Sequence, residues 1–305
     1  MIQYTSASRR IFMVFLSAFF IFLCFICLVP FLHVLALSFS HKVPSMQRIV
    51  TLLPLDYNES THLAHVGFDL NSYVFVLERD EFIRAFMISV LRIVLAGITT
   101  LVVIVLAAYP LSKQRSEFRG RTVYVWFIMV TMFIGGGLVP WYLVVKGIGL
   151  LNSIWALVLP GCAPPFLVVL LLNFFRGIPK SLEESAFLDG AGHLRILVSI
   201  YMPLSAPVIA TVMLFIIVSN WNAWFDGMIF MSSQRNYPLQ SYLQSLIAST
   251  SMQMMSRARA ELLKHISDRT VKSAQIFIGA VPMLLLYPFL QRYFMSGIVL
   301  GSVKE

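Results

Sequence analysis

Six long apolar runs divide the chain, and polar stretches of unequal length separate them. A helix rises 1.5 Å per residue, so about 20 apolar residues are needed to cross a bilayer. The runs at 11–39, 82–109, 122–145, 152–175, 205–225 and 273–294 reach that length. The pattern predicts an all-α, polytopic membrane protein with six transmembrane helices, all within one membrane domain over residues 1–305. The first run follows Arg9 and Arg10. It is longer than a signal-peptide core and lacks a small-x-small cleavage site, so it reads as a retained anchor. Pro30 is expected to kink it. Gly135-Gly136-Gly137 and Pro140 interrupt the third run, as a helix break or a point of close packing.

Composition supports the same class. Of the 305 residues 58% are hydrophobic and only 12% charged, with a mean hydropathy of +0.81. A soluble domain carries about 25% charged residues, so too little charge is present to solvate an ordinary globular surface. The net charge of +9 does not point to nucleic acid here, because basic residues flank membrane spans on the cytoplasmic side, against the lipid headgroups. The segments 1–10, 110–121, 176–204 and 295–305 hold ten Lys and Arg in about 62 residues; 40–81, 146–151 and 226–272 hold ten in about 95. The denser set is expected inside, with Lys113–Arg121 carrying most of the weight. Both termini are then cytoplasmic.

Enzymatic signatures are absent. No phosphate-cradling GxxxxGK[ST], HExxH or GxSxG occurs. Cys24, Cys27 and Cys162 lie in apolar runs, and the CxxC spacing of the first two fits small apolar side chains on a lipid-facing helix. His62 and His65 are close in an outer segment without further ligands, and Asn58-Glu59-Ser60 has the form of a glycosylation sequon.

The most informative polar stretch is Pro179–Gly192. Ser181 and Glu184 have capping-box spacing, which would start a helix. Leu182 and Ala186 share a face, with Phe187 and Leu188 adding apolar bulk, and Asp189-Gly190 is expected to stop the helix. Leu194, Leu197, Val198 and Tyr201 suggest a second amphipathic stretch from His193 to Tyr201. Two short helices with a sharp glycine turn would protrude on the cytoplasmic side. Such a knob suits a groove on a partner, or alternatively lies on lipid headgroups.

Glu184-Ser185-Ala186, Asp189-Gly190-Ala191 and Ile200-Tyr201-Met202-Pro203 resemble the EAA loop of binding-protein-dependent ABC import permeases. Ser185 and Met202 depart mildly from that pattern. Ala108-Tyr109-Pro110-Leu111-Ser112, Asn173-Phe174-Phe175, Ile178-Pro179, Trp221-Asn222 and Tyr237-Pro238-Leu239-Gln240 resemble the carbohydrate, maltose-permease-like branch. Tyr287-Pro288-Phe289-Leu290-Gln291 and Gly301-Ser302-Val303-Lys304 resemble its subgroup for complex oligosaccharides and polysaccharide fragments. The resemblance implies a multi-pass subunit of the bacterial inner membrane, with a coupling-helix (EAA) loop at 176–204 between spans four and five. Glu183, Glu184, Ser185, Ala186, Asp189, Gly190 and Ala191 would meet a cytoplasmic ATPase dimer or shape the turn that does. ATP and magnesium would be used by that ATPase; no cofactor is expected on this chain. A second homologous permease, an extracytoplasmic solute-binding protein and an oligosaccharide are the other implied partners.

Polar groups inside spans are costly, so they become candidates for the solute pathway. Arg92 lies about 15 Å into the second span; it would face an acidic sugar or pair with a carboxylate of another span or subunit. Asn220, Trp221, Asn222, Trp224 and Asp226 crowd the end of the fifth span, as sugar contacts or as an interfacial belt. Arg84 is shallower and would snorkel, and Asn173 would tie helices together. Gln253–Arg259, where Met and Arg mix, would be a docking surface or a scaffold segment. An ion-coupled secondary transporter of a polar solute is the alternative function; it would call for acidic residues within spans or inverted repeats with broken helices. A non-transport membrane component is a further alternative, and it leaves the glycine knob unexplained.

Overall fold

The computed structural model describes residues 7–58, 61, 63–248 and 266–302. It is dominated by helices and divides into two compact units. One draws on the chain before Glu81 and on Leu246–Ala280; the other draws on Glu81–Ser245 and the chain after Ala280.

The first unit begins with α1 (Ala7–Ser38), which continues through Pro30. Most of its large apolar side chains are exposed, as befits a surface solvated by lipid. Its C-terminal end, Ala36 and Leu37, is buried with Val50. A short helix α2 (Lys42–Met46) and an antiparallel hairpin of β1 (Leu55–Asn58) and β2 (Leu63–Val66) follow, in the register Leu55↔Val66 to Asn58↔Leu63. The hairpin amends the all-α expectation: it is a small β element in a segment too polar to be a span. Helix α3 (Asn71–Leu77) packs back on the end of α1, where Ser38 Oγ lies 2.7 Å from Tyr73 Oη and Phe39 stacks on Tyr73. Buried hydroxyls then hold the last helix, α15 (Asp268–Ser302). Ser45 meets Ser267 at 2.8 Å, Ser72 Oγ donates to Thr270 Oγ1 at 2.8 Å, and Arg269 donates to the Ser45 carbonyl at 2.9 Å.

The second unit is organised on α4 (Asp80–Ser112), which carries Pro110 in its last turn. Its buried positions include Phe82, Ala85, Ser89, Arg92, Ala96, Thr100, Ile104, Ala108 and Leu111, a run of three- and four-residue steps that defines one inward stripe, with Gly97, Val105 and Tyr109 beside it. Met87, Leu91, Val94, Ile98 and Val102 face outward. Helix α5 (Arg121–Phe133) stops before the triple glycine, and α6 (Leu138–Gly147) starts after it. Gly137 has φ +77°, a left-handed conformation available to glycine. A β-carbon at Gly135 or Gly137 would meet nothing within 4 Å, so within this chain the triple glycine is a break and not a packing contact.

Next come α7 (Ile154–Val158), a 3₁₀ turn (Leu159–Gly161) and α8 (Pro165–Arg176), a pair bent by 49°. Helices α9 (Lys180–Leu188) and α10 (His193–Ile196) lead into a π-helical segment (Leu197–Tyr201) and α11 (Met202–Leu204). Helix α12 (Ala206–Asn222) then departs at 83° to the preceding stretch. Helices α13 (Phe225–Phe230) and α14 (Leu239–Ala248) close this part of the chain. The main core of the unit joins the α4 stripe to Leu167, Leu171 and Phe175 of α8, to Ile196 and Tyr201, and to Val208, Val212 and Ile216 of α12.

Among the described residues three helices are long and apolar enough to cross a membrane, at Arg9–Ser38, Asp80–Ser112 and Asp268–Pro288; each bent pair supplies one more if it counts as one span. The expected third span is divided between α5 and α6, of 13 and 10 residues.

Candidate functional site

The loop between α8 and α12 is built around one turn. Helix α9 ends at Leu188 with Asp189 as its C-cap, and Gly190 follows with φ +78°. The Gly190 N–H donates to the Phe187 carbonyl at 3.0 Å, and the Ala191 N–H donates to the Ala186 carbonyl at 2.9 Å. These paired bonds are a Schellman motif, which satisfies the last carbonyls of the helix. The expected glycine stop is therefore present, with a positive φ as its cause.

The start of α9 differs from expectation. Its N-cap is Pro179, and no side chain caps it. Ser181 falls within the first turn, too late to cap, so the Ser181–Glu184 capping box does not form. Pro179 takes the N-cap position, with ψ of 129°, and keeps Ile178 before it out of the helical region, so the helix starts at Lys180.

The buried face of α9 also differs. Leu182 is exposed; the inward positions are Ala186, against the core, and Glu183, which is 8% exposed. Glu183 Oε1 accepts from Lys113 Nζ at 2.5 Å, and Oε2 accepts from the Tyr201 hydroxyl at 2.7 Å. Lys113 Nζ also reaches Tyr201 Oη at 3.2 Å and lies over the rings of Tyr109, at 4.0 Å, and Tyr201, at 4.5 Å. Burial opposes ionisation of Glu183, but the hydrogen bonds from Lys113 and Tyr201 and the Lys113 charge outweigh it, so its pKa lies below the ordinary value. Burial draws the Lys113 pKa down, against the opposing pull of Glu183. Tyr109 Oη and His193 Nδ1 are 3.3 Å apart beside this cluster, and Phe187 packs edge-on against His193.

Glu184, Ser185, Asp189 and Gly190 are exposed, and Ala191 is half-buried. Leu188 is 90% exposed and Leu194 is 72% exposed, so the tip of the loop is apolar and uncovered. The second stretch does not present the regular face expected from Leu194, Leu197, Val198 and Tyr201. Ile196 of α10 is buried and Leu194 is not, and the wider π turn that follows buries Leu197 and Tyr201 and leaves Val198 outside. A cleft of about 630 Å³ lies behind the tip, bordered by Lys113, Glu117, Lys180, Glu184, His193 and Leu194.

Of the intramembrane candidates, the structure brings Arg92, Asn220 and Asp226 together. Arg92 is 3% exposed. Its Nη1 and Nη2 donate to the two carboxylate oxygens of Asp226, and Nε donates to Asn220 Oδ1 at 3.1 Å. Pairing, one of the two expectations for Arg92, is thus the one realised. Asn220 also borders a smaller pocket of about 240 Å³ with Thr100, Phe166, Phe215 and Ser219. Trp221 is buried with its ring edge-on to Phe86, Asn222 donates to the Val218 carbonyl of its own helix, and Trp224 is exposed beside Phe225. Arg84 is exposed, and so is Asn173. Glu59, Ser60, His62, Gln253–Arg259 and Val303–Lys304 lie outside the described residues.

Sequence reasoning counted Lys113 only as a loop cation, and Tyr201 only as part of a motif and of an amphipathic stretch. Their shared target, Glu183, is 70 and 18 residues away, and no local spacing announces such pairs.

No family model matches the sequence. The polygalacturonan/rhamnogalacturonan transport system permease protein YtcP of Bacillus subtilis (strain 168) is 34% identical over 296 residues, 97% of this chain and 99% of its own. The trehalose/maltose transport system permease protein MalG of Thermococcus litoralis is 27% identical over 290 residues, 93% and 94% of the two chains. A chain of a bacterial ABC transporter involved in the import of the acidic polysaccharide alginate superposes with a TM-score of 0.84 at 31% identity, over 95% of this chain and 98% of that one. These full-length similarities define the class as a membrane-embedded transport subunit. The chain belongs to the permeases of ABC sugar-transport systems. It serves in sugar import, and permeases of this family are not themselves enzymes.

Proposed function

We propose that this permease forms half of the translocation pathway of an importer for acidic oligosaccharides, and that residues 176–204 are its cytoplasmic coupling loop. The exposed apolar tip carries the reading. Leu188 and Leu194 flank a rigid glycine turn and remain outside the core, as a groove on a partner would require. The partner is a cytoplasmic ATPase dimer, which binds and hydrolyses ATP with magnesium. A second homologous permease completes the pathway, and an extracytoplasmic solute-binding protein delivers the cargo. Six crossings follow if α5 and α6 together make one span, leaving both termini inside. Uronate-rich cargo is supported by the relatives, one named for polygalacturonan and one from an importer of alginate.

The loop would move as the ATPase closes, and access to the pathway would alternate with it. Arg92 is neutralised by Asp226, so it does not offer a free charge to the sugar. Asn220, Thr100 and Ser219 supply hydrogen-bonding groups and Phe166 and Phe215 supply faces for a pyranose at the smaller pocket.

Copurification tests the proposal. The solubilised permease should carry an ATPase subunit and lose it on Gly190→Arg or Glu184→Lys. Crosslinking from Leu188→Cys should capture the same subunit. If residues 182–191 never capture a nucleotide hydrolase in a preparation that still moves sugar, the coupling role is wrong.

A further inference from the structure

We propose that Lys113, Glu183 and Tyr201 form the joint that passes displacement of the coupling loop to α4. In this role Lys113 and Glu183 are positioning residues for transport and not contacts of the ATPase. The inference rests on reading 176–204 as the coupling loop.

Three observations support it. Among the described residues, Glu183 is the one buried position of α9, so a force on that helix reaches the rest of the unit through Glu183 and its neighbour Ala186. Both carboxylate oxygens are engaged, one by Lys113 at the foot of α4 and the other by Tyr201 at the root of the bent segment entering α12. The Lys113 ammonium is also boxed between two aromatic rings, one on each of those segments. A nine-residue helix has little stability of its own, so its orientation depends on such external ties.

The chemistry is notable because apolar replacement of a buried ion pair is commonly neutral or stabilising. Stability alone does not call for charge here. The use that remains is geometric, because the carboxylate, ammonium and hydroxyl fix direction as well as distance. The neighbouring pair Lys180–Glu117 cannot do this work. Its two side chains are about half exposed, and exposed pairs are screened and weak.

The test uses the whole transporter in proteoliposomes, with Lys113→Met, Glu183→Gln and the double Lys113→Met/Glu183→Leu. The double variant keeps the site apolar and folded. All three should retain the ATPase and hydrolyse ATP within about twofold of wild type, while sugar moved per ATP falls about tenfold, within the usual range of intersite coupling. Lys113→Cys/Glu183→Cys, made with Cys24, Cys27 and Cys162 replaced, should regain transport when a short bis-thiol reagent bridges the two positions. A simple structural role predicts parallel loss of hydrolysis and transport, with no rescue by the bridge. Either that pattern, an unchanged ratio of sugar to ATP in the double variant, or loss of the ATPase from the complex overturns the proposal. Absence of any ATPase from the unmodified complex would instead overturn the coupling-loop reading beneath it.

Discussion

The arginine at position 92 permits a quantitative test. Its side chain is almost fully buried, and its partner Asp226 is 13% exposed at the side chain. Replacing Arg92 with Leu leaves the Asp226 carboxylate with the Gly227 N–H at 2.9 Å and removes the donor that Asn220 Oδ1 accepts. Loss of one member of a buried pair costs about 3–5 kcal/mol, because the other charge stays desolvated. For a large chain about 2–4 °C of Tm accompanies each kcal/mol, so Arg92→Leu should lower the midpoint by roughly 6–20 °C. Asp226→Leu should cost as much, since it strands the guanidinium. The double Arg92→Leu/Asp226→Leu should recover most of the loss and lie within about 1–2 kcal/mol of wild type. The assay is thermal loss of the monodisperse peak in detergent, followed across the four forms. Additive single effects, or single variants that barely move the midpoint, would refute the pairing argument.

Three further outcomes follow from the same geometry. Gly190→Ala should destabilise the loop by about 1–2 kcal/mol through its φ of +78° alone, because a β-carbon there meets no atom within 4 Å. Gly190→Asn, which tolerates that conformation, should retain more bound ATPase in a pull-down than Gly190→Ala. Gly227→Ala should cost about 1–3 kcal/mol by overpacking, measured as detergent Tm, since its β-carbon would collide with Ser241 Oγ and press on Pro238. The Glu183 pKa is depressed when folded, so its contribution is complete above the ordinary value of 4.5 and is lost as pH falls through the folded value. The Tm difference between wild type and Glu183→Gln should therefore stay constant from about pH 8 to 5 and shrink in more acid buffer.

The apolar runs marked where helices lie, because a 20-residue hydrophobic stretch has few alternatives in a membrane. The glycine stop was equally legible, since it rests on one residue's backbone freedom. Other features were not local. The hairpin at Leu55–Val66 has a short, polar pattern with weak period-two alternation. The capping box at Ser181 obeyed its motif, yet Pro179 had already set the helix start. Glu183 read as a partner contact because it sits beside Glu184, although a one-position step on a helix turns a side chain by about 100°. That rotation separates the buried carboxylate from the exposed one.

The two buried ion pairs gain their meaning from the element they share. Arg92 ties the middle of α4 to the chain 134 residues later, and Lys113 ties its end to the chain 70 residues later. The tie points are 21 residues apart, about 30 Å along a helix. One lies beside the pocket lined by Asn220, and the other lies beneath the exposed tip of the loop. A single continuous helix with charged clamps at both places is a strut between those regions. Cutting one clamp should leave the other half of the device intact. Loss of Arg92 alone should therefore lower stability while ATPase binding persists, and loss of the Lys113 pair should separate hydrolysis from movement of sugar while the Arg92 pair stays intact.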